Sequence, residues 1–520
     1  MVQLPWTKRG SAAYGAPPPA AVVPLARVAA LVTLTAVGCA LIAVGLAENR
    51  PYVQLVAVCA IAAAIVGFAV RDRHLLILVA LVLTSQRLFY KLIGPIDPEI
   101  AGGVPGLYVT SVDALLLLLY GIWLAKGTFL QDLRDALARP AISVPILATL
   151  TVLPSFLVAE DPWFSLSELV RMVWMLALYL YTAVRVRERR ELVIVLVALF
   201  TITFLQSALA AAQWATQSSL GLVHIGDDRP LVTRVADDAE TIRPSGTVLH
   251  PVFLSVLMAE IGMLALAVGM SVRERRFRAF AYASVAAAVA GMVLTQTRVA
   301  FFAAAAVSVL LILWGAWRGY LSWRAITMGL ATAAIGVLVL NGAVMHGSIM
   351  DGLLRNFASE HVGVEIEARQ QVNQVGLDIA ADAPLIGIGL NNYERVLPRY
   401  DVYGMGLPGA PPHNLYLLVL ADTGAVGLLG MIGTFVALVL AALRLAWVAD
   451  PMLAAVGVGA LAMYGFYALE EMTTFTLRHD VPLLGFWILA GLVLAALRIA
   501  EREASGPAPA STLAVAGGRA

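Results

Sequence analysis

Three basic side chains stand where apolar runs begin, and their chemistry suits a negatively charged substrate. Arg243 opens Arg243-Pro244-Ser245-Gly246-Thr247, just ahead of an apolar run. Arg298 closes Leu294-Thr295-Gln296-Thr297-Arg298, a short turn between two such runs, and His413 directly precedes Asn414 and another. Helix N-termini present unpaired N–H groups and the positive end of the helix dipole, so each place favours an anion. Arginine adds a planar fork matched to phosphate oxygens, and histidine titrates near neutral pH and serves as a general base. Together these are the groups that chemistry on a phosphate- or diphosphate-linked lipid requires. Each also has a plainer reading: an arginine at a span's end snorkels to headgroups, and a lone interfacial histidine is often structural.

Other candidates carry less signal. Glu168 and Arg171 are three residues apart and are expected to pair; as charges within an apolar run they are candidate cavity residues, with Arg369 and Tyr393. Asp113 and Glu260 lie inside apolar runs and are read as lining the cavity, with no partner evident from sequence. Arg478, His479 and Asp480 form a small cluster between the last two runs, either solvated or part of the site. No phosphate-binding loop, zinc-ligand spacing or nucleophile elbow occurs, so neither a metal nor a cofactor is expected. Cys39 and Cys59 both sit in apolar runs and read as packing residues.

These residues have to be positioned by a membrane protein. Of 520 residues, 60% are hydrophobic and 13% charged, against about a quarter charged in soluble domains. A soluble multi-domain enzyme is excluded, and a net charge of +1 gives no bulk basicity for nucleic acid. At roughly 20 apolar residues per span, the chain offers about fourteen. Their cores lie near 24–46, 52–70, 74–90, 109–125, 141–159, 166–184, 192–215, 248–270, 279–296, 299–316, 325–343, 414–443, 452–470 and 481–499. The third is the weakest, because Arg87 and Lys91 intrude near its end. With the N-terminus inside, 22 of the 35 basic residues fall on the cytoplasmic side, which is the side they favour. An even span count then puts both termini inside and Arg243, Arg298 and His413 together on the outer face.

The fold class expected is therefore an all-α polytopic membrane protein. Residues 1–21 and 500–520 read as disordered cytoplasmic tails, and 22–215 as an N-terminal bundle of about seven spans. An outer loop (216–247), four spans (248–343), a large outer loop (344–413) and three spans (414–499) follow. Loops this long are usually functional. Within the larger, 365–382 reads as a helix, with Ala368, Val372, Val375 and Ile379 on one face and Glu365 placed to pair with Arg369.

The same segments resemble a known family. His413-Asn414, nine residues, then Gly424-Ala425-Val426-Gly427 resembles the histidine motif of the O-antigen ligases, which include periplasmic O-oligosaccharyltransferases and are related to Wzy-type polymerases. Arg243–Thr247 with His250-Pro251 resembles a second motif of that family. Leu294–Arg298 resembles a third, with Thr297 in place of the commoner serine. Pro384–Gly389 followed by Asn392-Tyr393 resembles a fourth. The resemblance covers roughly 240–445; about fourteen spans exceeds the twelve usual in the ligases.

What the resemblance implies is a GT-C-like glycosyltransferase of the bacterial inner membrane, with its site facing the periplasm. The donor would be an undecaprenyl-diphosphate-linked glycan and the acceptor lipid A-core, for a ligase, or a second lipid-linked glycan, for a polymerase. Membrane lipids would be its surroundings and nucleic acid no partner. His413 would be the catalytic base, Arg243 and Arg298 the diphosphate-binding pair, and Asn414, Gly424, Gly427, Ser245, Gly246 and His250 supporting motif residues. The reaction would invert the anomeric carbon without a metal. The motif glycines would let the helix after His413 pack closely on its neighbours. Protein O-glycosylation is a narrower alternative. A transporter or flippase fits the spans and in-membrane charges but leaves the large loop unexplained; an inactive scaffold would make His413 dispensable.

Overall fold

The computed structural model describes residues 73–85, 90–93, 95, 97, 102–220, 233–236, 239–248, 250–321, 360–400 and 411–505. The expected spans at 24–46, 52–70 and 325–343, both cysteines and most of both tails lie outside the described residues. Helix α1 (Arg73–Thr84) is followed by the antiparallel pair β1 (Tyr90–Ile93) and β2 (Leu107–Thr110). Next come α2 (Ser111–Ala125), α3 (Phe129–Leu137), α4 (Pro140–Leu150) with a 3-10 turn to Leu157, α5 (Pro162–Arg185) and α6 (Arg189–Thr216). A second hairpin, β3 (Thr233–Ala236) and β4 (Ala239–Ile242), leads to α7 (Pro251–Ser271), α8 (Arg275–Thr295) and α9 (Arg298–Trp317). The chain ends through α10 (Glu360–Asp382), the short α11 (Tyr393–Val396), α12 (Leu415–Ala446), α13 (Pro451–Glu470) and α14 (Asp480–Ser505).

Among the described residues nine helices are long and apolar enough to cross a membrane, or ten if α2 and α3, bent by 106°, make one span. The protein is thus a helical, multi-pass membrane protein. The expected span at 74–90 is corrected: α1 has 12 residues, about 18 Å against a hydrocarbon core of about 30 Å. Lys91, one of the two charges that weakened this span, lies in a strand and pairs with Val109 across the β1–β2 ladder. The two hairpins are small departures from an all-helical chain.

Helix α7 is the centre of the bundle. It is apolar all round, and 83% of its spanning window is buried, against 28% for α9 at the rim. It packs on α8, α13 and α9, while α5 packs on α14 and α12 on α13 and α4. Helix α10 does not lie free: Val375 and Ile379 are buried with Tyr393, Leu397, Leu418 and Ala421 in one cluster against α12. Tyr393, expected in a cavity, is instead a core ring here.

Candidate active site

The Arg243–Thr247 turn is held by two amides of α6. Gln213 accepts from the N–H groups of Ser245 and Gly246 at 3.1 and 2.8 Å and donates to the Gly246 carbonyl at 2.9 Å. Gln206 accepts from the Thr247 N–H and donates to its hydroxyl. Gly246 has φ +62, and a Cβ there would lie 2.2 Å from the Gln206 amide oxygen, so glycine is required. From this turn Arg243 reaches the end of α8. Its Nε and Nη2 donate to the Thr295 carbonyl at 3.2 and 3.1 Å, and Nη2 also to Thr297 Oγ1 at 3.2 Å. A cation at a helix C-terminus is electrostatically favoured. Gln296 takes the left-handed cap conformation and Arg298 opens α9 one residue past the N-cap Thr297. The two arginine motifs are therefore one unit, and the hydroxyl of Thr297 makes the contact that a serine hydroxyl could make.

His250 caps α7, its Nδ1 accepting from the Val252 N–H at 3.2 Å. Burial, with Arg243 nearby, lowers the imidazole pKa to about 4, so the ring is neutral at neutral pH and free to accept. On the other side, Asn414 caps α12 through its side chain and the Leu417 N–H. The Leu415 N–H donates to the Glu471 and Thr474 carbonyls, fastening the His413 segment to the turn after α13. Arg369 of α10 points Nη1 at the Thr473 carbonyl of this turn, 3.5 Å away. The His413 ring packs on Phe475.

Helix α12 is broken at Gly424, which has φ 64 and ψ −169. The freed backbone groups are met by the Pro384–Gly389 segment. Ile388 and Gly389 donate to the Ala421 and Asp422 carbonyls at 3.0 Å, while Ala425 and Val426 donate to Pro384 and Leu385 at 2.8 and 3.1 Å. Irregular backbone inside a membrane protein needs such internal partners. A Cβ on Gly424 would lie 2.2 Å from the Leu385 backbone, and one on Gly427 would strike Thr423 in its own helix. Gly424 thus lets a neighbouring segment pack closely on this helix, as expected of a motif glycine, and it also makes the break, which Gly427 accommodates within the helix itself.

Beneath the break lies a buried ionic network. Arg478 Nη2 is 2.8 Å from Asp422 Oδ2, and its Nη1 3.7 Å from Glu168 Oε1. Arg171 pairs with the same Glu168 oxygen at 2.6 Å, donates to the Arg478 carbonyl at 2.7 Å, and lies 3.5 Å from Asp480. Tyr108 donates to Asp480 at 2.7 Å; burial and that carboxylate push its hydroxyl pKa well above the usual value. Arg171 also lines a small pocket with Tyr108, Asp113, Trp174 and Asp480, of which Glu168 is not a wall.

Arg478 is thus buried rather than solvated. Asp113 is no mid-span charge but closes a capping box with Thr110 at the start of α2. Glu260, without an evident partner in sequence, accepts from Tyr467 at 2.7 Å. Sequence reasoning missed Gln206, Gln213 and Asp422. The two glutamines had a signal: they are the amide side chains of this helix and stand seven apart, hence on one face, within its apolar stretch.

Residues 283–432 match the family model described as O-antigen ligase. The matched stretch contains Arg298, His413 and the Gly424 break, and leaves the Arg243–His250 segment outside it. No curated protein matches the chain.

Proposed function

From the match of residues 283–432 to the O-antigen ligase family model, we propose that this chain is a membrane glycosyltransferase of that family and acts as a ligase. In this reading it moves a glycan from undecaprenyl diphosphate to a sugar hydroxyl of lipid A-core at the periplasmic face. The observation that carries it is the junction of Arg243 with the Thr295–Arg298 turn. That junction supports one cationic unit formed from two motifs distant in sequence.

His413 takes the proton of the acceptor hydroxyl, and the oxygen attacks the anomeric carbon. The bond from that carbon to the diphosphate oxygen breaks, the electron pair leaving with the diphosphate, and the new glycosidic bond has inverted configuration. Arg243 and Arg298 stabilise the charge that develops on the leaving group, a role fixed cations fill without reorganising. A base of suitable pKa contributes roughly 10²–10⁴ in rate. No step in this reading uses a metal.

The test is transfer by the full-length protein in proteoliposomes, with lipid A-core and a second lipid-linked glycan offered separately. His413→Ala, Arg243→Ala and Arg298→Ala should each lower turnover by about 10² or more with unchanged elution on size exclusion, and EDTA should leave the rate unchanged. Turnover retained in all three variants overturns the site. Product on lipid A-core supports the ligase; a ladder of lengthened lipid-linked glycan makes the protein a polymerase, and transfer only to a protein acceptor makes it an O-oligosaccharyltransferase.

A further inference from the structure

Five rings run in a row at the end of the bundle that carries His413. Centroid to centroid, His250 lies 5.2 Å from Phe253, Phe253 4.0 Å from His479, His479 5.5 Å from Phe475, and Phe475 5.8 Å from His413. They come from three places far apart in the chain: the start of α7, the α13–α14 connection and the residue before the cap of α12. All five are partly exposed. The residues that hold them are buried, among them Leu254, Leu415, Thr476 and Arg478.

Ligand pockets combine apolar and aromatic walls with a few fixed polar groups. Phenyl and imidazole rings in alternation suit a molecule that itself alternates apolar and polar parts. A diphosphate gains nothing from a phenyl face, and a polyprenyl chain gains nothing from imidazole nitrogens. A sugar ring offers both a C–H face and a hydroxyl rim. The row also joins the two halves of the site: His250 lies within the field of Arg243, and the far end is His413.

Resting on the function proposed above, we propose that Phe253, Phe475 and His479 form a saccharide subsite. The two phenyl rings take the C–H face of a sugar and His479 hydrogen-bonds its hydroxyl rim, holding the ring between the arginine unit and His413. These are positioning and specificity residues, and no bond is made or broken by them. The sugar belongs either to the donor, next to its diphosphate, or to the acceptor.

The experiment is saturation-transfer NMR on the full-length wild-type protein in nanodiscs, irradiating protein aromatic protons. Two probes are used separately: the oligosaccharide released from the lipid-linked donor, and core oligosaccharide cleaved from lipid A. Transfer to sugar C–H protons of the first assigns the subsite to the donor, and of the second to the acceptor; either supports the proposal. Phe475→Leu should raise KM for that same substrate about tenfold, with kcat held within about threefold, while Phe475→Tyr stays near wild type. No transfer to either probe from wild type overturns the subsite, as does wild-type KM for both substrates in Phe475→Leu. If the leucine variant fails to fold, the wild-type spectra and the KM of His479→Gln, expected to rise, decide instead. His413→Ala separates the two readings: lost turnover with saturation transfer kept supports both, and kept turnover overturns the base while the subsite stands.

Discussion

At the scale of single residues, the side chains that matter most around Arg243 are amides rather than charges. Gln213 alone satisfies three backbone groups of the Ser245–Gly246 turn. Each one left unpaired in a buried place costs about 1–3 kcal/mol. Gln213→Ala should therefore lower turnover by tenfold or more although Arg243 is untouched, and Gln213→Glu, which keeps the acceptor, should fall between; transfer rates of purified variants check this. His250 allows a pH test. Its pKa in the folded protein, about 4, lies below the value of about 6.5 in an unfolded chain. Its share of stability is therefore complete above pH 6.5 and is lost as pH falls from there through about 4, on the order of 3 kcal/mol. Asparagine also caps helices and does not titrate. Melting temperatures from pH 7 to 4 should move in favour of His250→Asn as the pH drops; parallel curves would refute it.

At the scale of elements, α12 is two half-helices hinged on Gly424 rather than one long span. Its conformation is open only to glycine, and the Leu385 backbone fills the place of a Cβ. Gly424→Ala should thus destabilise by several kcal/mol, among the largest single effects, and release the Pro384–Gly389 segment. Limited proteolysis should cut near 384–389 in the variant and not in wild type. A variant as resistant as wild type would mean that α12 tolerates being straightened. The break also explains how His413 is fixed. Asn414 caps the first half-helix, and Leu415 ties it to the Glu471–Thr474 turn. The imidazole therefore stands directly before a helix start that is capped and tied to the neighbouring turn.

At the scale of the whole molecule, the buried network ties α12, α5 and the α13–α14 connection together. Arg478 bridges Asp422 and Glu168, and Arg171 bridges Glu168 and Asp480. Breaking a buried pair by removing one partner typically costs about 3–5 kcal/mol, because the other charge is left uncompensated. Arg478→Met should be strongly destabilising, and adding Asp422→Asn should restore a good part of the loss, since Glu168 keeps Arg171. A double-mutant cycle in melting temperature tests this; simple additivity would deny the coupling.

Composition and pattern fix the class of protein, the places of most of its described apolar helices and the residues that are candidates for chemistry. Those properties follow from composition, from runs about one bilayer long and from motifs contiguous in the chain. Arg243, Arg298 and His413 were legible because each stands at the edge of an apolar run. Tertiary structure alone decided which of them meet. Arg243 finds its carbonyl 52 residues away, and Arg478 its carboxylate 56 residues away. Neither separation leaves a local trace, because the pairing depends on which helices lie side by side. The same reason hid the task of Gly424: a glycine inside an apolar run reads equally as close packing or as a break. Only the segment docked on it shows that it is both. Tyr393 lies in the core rather than a cavity because an aromatic side chain has no burial of its own until its neighbours are set. Asp113, by contrast, does line the pocket, and its capping box with Thr110 is a local pattern of the sequence.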